Sequence, residues 1–187
     1  MPATTPPPKH LRDEVESILI GEQEIAVRVR ELAADIERDF AGKDLLVVAL
    51  LTGTVPFLAD LVRHITLPMR LDFMGVSSYG SGITPGELVF TKELRLEARD
   101  RDVLLVDDIL DTGKTLRAVI DKLTALQPRS LKTCVLLEKI SRRAEAITAD
   151  YVGFEVPDEF VIGYGLDYAE RYRNLPFIGI LKSEVYE

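Results

Sequence analysis

Val103-Leu-Leu-Val-Asp-Asp-Ile-Leu-Asp-Thr-Gly-Lys-Thr-Leu116 joins an apolar run to a turn that carries three carboxylates, and that turn leads into an amphipathic helix. Val103–Val106 has the composition of a strand buried on both faces. It delivers Asp107 and Asp108 at its carboxyl end, the side of an open α/β sheet where ligands bind. Asp111, Thr112, Gly113, Lys114 and Thr115 follow as the helix begins, so backbone N–H groups and two hydroxyls converge on one point. Such a nest suits a phosphate: Gly113 lets the backbone curl, and the helix dipole adds partial positive charge. A helix cap alone would need a single acceptor, not three carboxylates. A nucleotide-triphosphate P-loop fails on spacing, because the glycine required five residues before Gly113 is replaced by Asp108. Two adjacent carboxylates instead suit the vicinal hydroxyls of a ribose whose 5′-phosphate occupies the neighbouring nest.

Working outward, Leu116, Val119, Ile120, Leu123 and Leu126 give one helical stripe, and Thr133–Leu137 reads as the next strand. Upstream, Ile25, Val29, Leu32, Ile36 and Phe40 form another stripe, ended by Gly42. Leu45–Leu51 is a strand buried on both faces, followed by the turn Thr52-Gly53-Thr54 and a helix running to about His64. Leu71–Val76 is a further strand, after which Ser77–Glu87 (SSYGSGITPGE) reads as a mobile loop. Alternating strands and helices predict an α/β fold with a mainly parallel twisted sheet flanked by helices. From Tyr151 onward, short runs such as FVIGYG and FIGIL predict a small β-rich subregion. No internal repeat is present.

The 187 residues fit one domain, expected over 11–187 behind a disordered leader at 1–10, where MPATTPPPK holds four prolines. No apolar run is long enough to span a membrane, and the leader does not resemble an export signal. The single cysteine, Cys134, rules out an intrachain disulfide and fits a reducing cytoplasm. A net charge of −8 argues against broad attraction to nucleic acid or to an anionic membrane. His10 and His64 have no metal-ligand companion nearby in the sequence.

Val103–Leu116 resembles the phosphoribosyl pyrophosphate signature of type I phosphoribosyltransferases. LLTGTVPFLADL (50–61), DFMGVSSYG (72–80), LLEK (136–139) and VPDEFVIGYGLDYAERYRNLP (156–176) look like the corresponding segments of the hypoxanthine-guanine phosphoribosyltransferases, in the same order. The resemblance implies a purine-salvage enzyme that moves 5-phosphoribosyl from its pyrophosphate donor to N9 of a 6-oxopurine, with Mg²⁺ as cofactor. It implies that Asp107 and Asp108 contact the ribose hydroxyls, that Asp111 to Thr115 hold the 5′-phosphate, and that Asp111 is the general base toward N7. Leu51, Thr52, Gly53 and Arg173 correspond to pyrophosphate contacts, and the Leu51–Thr52 peptide is one that can be cis in the family. Lys139 corresponds to the donor to the 6-oxo group, Phe160 to a ring stacked on the base, and Val161 to a backbone contact. Asp167 corresponds to a carboxylate near base and metal, joined by Asp107 and Asp108 partly through water or substrate. Ser78 and Tyr79 correspond to a closing loop. Family members often carry Glu at position 107 and Lys at position 52, so Asp107 and Thr52 are departures. The resemblance further implies a homodimer or homotetramer.

Two other functions share this frame: phosphoribosyl transfer to another base, and an RNA-binding regulator that keeps the donor site. Within the first, Lys139 disfavours adenine, since a donor-only ammonium satisfies an oxo group and not an amino group. The acidic balance and the base-end segments disfavour the second.

Overall fold

A computed structural model describes residues 6–78, 88–139, 141 and 144–186. The expected α/β architecture is borne out: a six-stranded sheet carries helices on both faces, and a three-stranded sheet sits apart from it. In chain order the elements are β1 (Val15–Ile20), α1 (Glu22–Asp39), β2 (Leu45–Leu51), α2 (Val55–Arg63), β3 (Met69–Ser78), β4 (Leu88–Lys92), β5 (Asp102–Leu110), α3 (Lys114–Ala125), β6 (Ser130–Glu138), β7 (Tyr151–Glu155), β8 (Val161–Ile162), β9 (Ile178–Leu181) and α4 (Ser183–Tyr186). The large sheet runs β4-β3-β2-β5-β6-β7. Every pairing in it is parallel except the edge pair β3–β4.

Strand alternation explains the layers. Leu45, Val47, Ala49, Leu104 and Val106 point to the face covered by α1 and α2. Leu46, Val48, Leu50, Val103 and Leu105 point to the opposite face, covered by α3. The α1 stripe read from the sequence, Ile25 to Phe40, is fully buried. Gly21 N–H donates to Glu24 Oε2 at 2.9 Å and starts that helix. On α3 the stripe ends sooner than expected: Leu123 is fully buried, but Leu126 caps the helix and is exposed.

Four details go beyond the sequence reading. Within the described part of the N-terminal segment Pro7 is buried and Lys9–Leu11 form one 3-10 turn, while residues 1–5 lie outside the described ones. Strand β1 was not legible, since two register irregularities against β9 break the alternation that would reveal it. The first acidic pair lies inside a strand: β5 continues through Asp107 and Asp108 to Leu110, because β6 pairs with it along that length. The loop expected over Ser77–Glu87 falls mainly on 79–87, outside the described residues.

Pairing of β2 with β5 stops at Ala49–Val106, whereas β2 continues along β3 to Leu51–Gly75 and β5 continues along β6. The sheet therefore parts between its two central strands. The strand order reverses there as well, with β3 added on one side of β2 and β5 on the other. That crevice at the carboxyl ends is where this architecture binds ligands.

Candidate active site

Two cavities meet in the crevice. The first, about 340 Å³, is lined by Leu50, Leu51, Val76, Asp107, Asp108, Ile109, Leu110, Asp111, Thr112, Gly113, Thr115 and Leu116. The second, about 270 Å³, is lined by Asp108, Ile109, Asp111, Lys139, Phe160, Val161, Leu166 and Asp167. Asp108, Ile109 and Asp111 belong to both walls, so a group spanning the two cavities passes these three side chains.

In the first cavity the nest forms as its residue types require. Gly113 adopts φ 86°, a left-handed conformation that costs glycine little, and directly precedes α3. The Thr112 carbonyl accepts from the N–H groups of Ala144 and Glu145 at 2.9 and 3.1 Å, which ties the loop to the segment ahead of β7. Lys114 is exposed and does not line the cavity.

Beside the nest Asp107 is buried and Asp108 half-buried. Thr54 Oγ1 and Asp108 N–H donate to Asp107 Oδ1 at 3.4 and 3.0 Å, and Ile109 N–H donates to Asp108 Oδ1 at 2.8 Å. Burial, and then the charge of Asp108, pushes the Asp107 carboxyl well above the ordinary carboxylate range. Burial likewise raises Asp108, against the pull of its hydrogen bonds and of the Arg173 charge.

The turn after β2 closes against this pair. The Leu51–Thr52 peptide is cis. A Cβ at residue 53 would run into the Asp108 carboxylate, and one at residue 165 into the Gly53 carbonyl, so both positions need glycine. Gly165, at φ 103°, could not carry a side chain without backbone strain either. Arg173 binds the same junction: its Nη1 donates to Gly165 O at 2.8 Å, and its Nη2 meets Asp167 Oδ1 at 2.9 Å and Glu170 Oε2 at 3.1 Å. Thr52, Gly53 and Arg173 thus stand around the first cavity's acidic pair without lining it.

In the second cavity Lys139 is 5% exposed, with its Nζ 4.0 Å from Asp158 Oδ1. The Lys139 N–H donates to Leu110 O at 2.9 Å, which holds it at the end of β6 beside β5. Asp167 Oδ2 accepts from the Glu170 N–H at 2.9 Å. Lys139, Phe160, Val161 and Asp167, expected together, do share one wall. Ser78 ends β3, whose Val76 lines the first cavity; Tyr79 lies outside the described residues.

For the metal expected at Asp107, Asp108 and Asp167, the described residues contain no preformed group of three or more His, Cys, Asp or Glu ligands. Asp167 is engaged by Arg173, and only the Asp107–Asp108 pair stands as adjacent carboxylates. That donor set does not suit zinc. It fits a hard cation that keeps waters and substrate oxygens.

Sequence reading missed Ile109, Leu166, Leu50, Val76 and Thr54. The first four look like core in an apolar run; Thr54 looks like a helix cap. Gly165 had one available signal, the repeat of glycines in Gly163-Tyr-Gly165.

A sheet that parts at its strand-order reversal, with a phosphate nest and paired carboxylates in the opening, defines a protein that handles a phosphorylated sugar. Residues 15–169 match the model of the phosphoribosyl transferase domain. The hypoxanthine-guanine phosphoribosyltransferase of Bacillus subtilis (strain 168) is 46% identical over 178 residues, 95% of this chain and 99% of that protein. A bifunctional TilS/HprT protein of Listeria innocua is 46% identical over 94% of this chain, but the chain spans only 27% of that longer protein. The crystal structure of a hypoxanthine phosphoribosyltransferase from Staphylococcus aureus superposes with TM-score 0.90 at 42% identity, covering 96% of this chain and 98% of that one. The chain belongs to the phosphoribosyl transferase family and, within it, to the hypoxanthine-guanine phosphoribosyltransferases.

Proposed function

We propose that the chain transfers 5-phosphoribosyl from phosphoribosyl pyrophosphate to N9 of hypoxanthine or guanine, yielding IMP or GMP and pyrophosphate. The observation that carries the reading is the shared wall: Asp108, Ile109 and Asp111 border both the nest cavity and the cavity that holds Lys139 and Phe160. A sugar phosphate in the first and a flat base in the second would meet at that wall, and holding two reactants in such geometry supplies much of the rate.

The 5′-phosphate binds the N–H groups and hydroxyls from Asp111 to Thr115, and Asp107 and Asp108 accept from the ribose hydroxyls. Pyrophosphate sits against the backbone at Leu51, Thr52 and Gly53 and near Arg173. Lys139 Nζ donates to the 6-oxo group, Phe160 stacks on the ring, and Val161 contributes its backbone. As N9 bonds to the anomeric carbon and the C–O bond to pyrophosphate breaks, Asp111 takes the proton from N7. Asp107 and Asp108, with Asp167, would hold Mg²⁺ partly through water and substrate, and the ion would neutralise charge on the departing pyrophosphate. A buried, crowded carboxylate pair is one that a cation relieves, which supports this assignment.

The family's use of free bases supports a cytoplasmic setting, consistent with a buried unpaired Cys134. Closed symmetry as a homodimer or homotetramer completes the proposal.

Incubation with donor, Mg²⁺ and single free bases tests it. Hypoxanthine or guanine should be consumed with release of pyrophosphate; exclusive use of adenine, xanthine or a pyrimidine would overturn the assignment.

A further inference from the structure

Phe160 reaches the base cavity beside Lys139 and Leu166, yet its ring is also held from outside that wall. The Tyr186 ring stacks on it with centroids 4.8 Å apart and planes at 24°, and the Tyr168 ring meets it edge-on at 5.6 Å and 88°. Neither tyrosine belongs to the cavity wall. Tyr186 thus stacks on a ring that also lines the cavity holding Lys139.

The short helix α4 that carries Tyr186 is anchored at its base. Lys182 N–H donates to Glu14 O at 2.9 Å, Lys182 Nζ donates to Arg12 O at 2.6 Å, and Leu181 N–H donates to Phe160 O at 2.8 Å. Val185 packs into the cluster of Leu11, Val15, Ile162 and Leu181. The segment entering β1 and the end of the described chain thus brace one aromatic side chain of the base cavity.

A phenyl ring on a half-buried side chain has a broad torsion about its last bond, and fixing its plane before binding removes an ordering cost that the base would otherwise bear. We infer that Tyr186 is a positioning residue for base recognition: it stacks on Phe160 and presets the plane on which a 6-oxopurine forms the next layer. This rests on Phe160 being the base-stacking ring. An offset aromatic pair contributes enough to change binding about two- to ten-fold.

Steady-state kinetics on Tyr186→Ala, Tyr186→Phe and Phe160→Ala test the inference. Tyr186→Ala should raise the KM for hypoxanthine about two- to ten-fold, with kcat and the KM for phosphoribosyl pyrophosphate changed much less, and Tyr186→Phe should restore the KM. Tyr186→Leu keeps apolar bulk without a ring and should behave like Tyr186→Ala, so the test survives if the alanine variant fails to fold. An unchanged KM in Tyr186→Ala alongside a raised one in Phe160→Ala would overturn the inference. So would equal losses for base and donor, or a failure of Tyr186→Phe to rescue. An unchanged KM in Phe160→Ala would instead overturn the stacking role of Phe160 in the proposed function.

Discussion

Asp72 and Asp107 are equally buried, at 6% and 8% exposure, and lie in strands of the same sheet, yet their surroundings treat the charge in opposite ways. Asp72 accepts from the N–H groups of Phe73, Arg95 and Leu96 at 2.7–2.8 Å and from Lys92 Nζ at 3.1 Å. Burial works to raise its pKa, but these donors together win and hold it down at about 2. It clasps the segment after β4 onto β3. Asp107 instead is driven upward, first by burial and then by the second carboxylate it faces. Two aspartates of similarly low exposure thus differ in what holds them: the satisfied one ties the fold together, and the crowded one is the one we propose meets a ribose and a cation.

The largest effect should come from the crowded side. Asp111→Asn should lower turnover about 10²- to 10⁴-fold, with donor binding largely intact; unchanged turnover would remove Asp111 as the base. Next, Lys139→Ala should cost about 10- to 100-fold in kcat/KM for an oxopurine, the size of a lost charged hydrogen bond. Its effect on donor KM should be small, and equal losses for donor and base would contradict the assignment.

On the satisfied side, Asp72→Asn should destabilise the protein by about 2–3 kcal/mol in denaturant unfolding, since an amide cannot accept from four donors. Activity per folded molecule should hold. The sign follows from the depressed pKa. Asp72 contributes stability above its unfolded value of ~3.9, and that contribution is lost as pH falls toward its folded value of about 2. A wild-type protein and Asp72→Asn that keep the same stability gap down to pH 2 would break the comparison.

How much of this was legible depended on distance along the chain. Apolar runs at Leu45–Leu51 and Val103–Val106 revealed doubly buried strands, and the nest at Asp111–Thr115 was local enough to read directly. The parting of β2 from β5 was not, because nothing in either strand records where its partner stops. Nor was the contact of Gly53 with Gly165, which joins distant segments through backbone alone. Ile109 and Leu166 bear on the site while looking like core, since an apolar residue carries no mark of which wall it faces. Asp72 shows the reverse: a charge inside a strand gave no hint that three backbone N–H groups would converge on it.

The sharpest test of the division is Asp107→Asn, with thermal unfolding and turnover measured on one preparation at pH 7. Raised pKa values make the ionised pair a liability to the free protein, one that grows as pH climbs from ~4 through the raised folded value. Removing one charge should therefore raise the melting temperature while turnover falls sharply. A variant that melts lower than wild type and retains its turnover would contradict the claim that this buried pair serves the reaction at the expense of the fold.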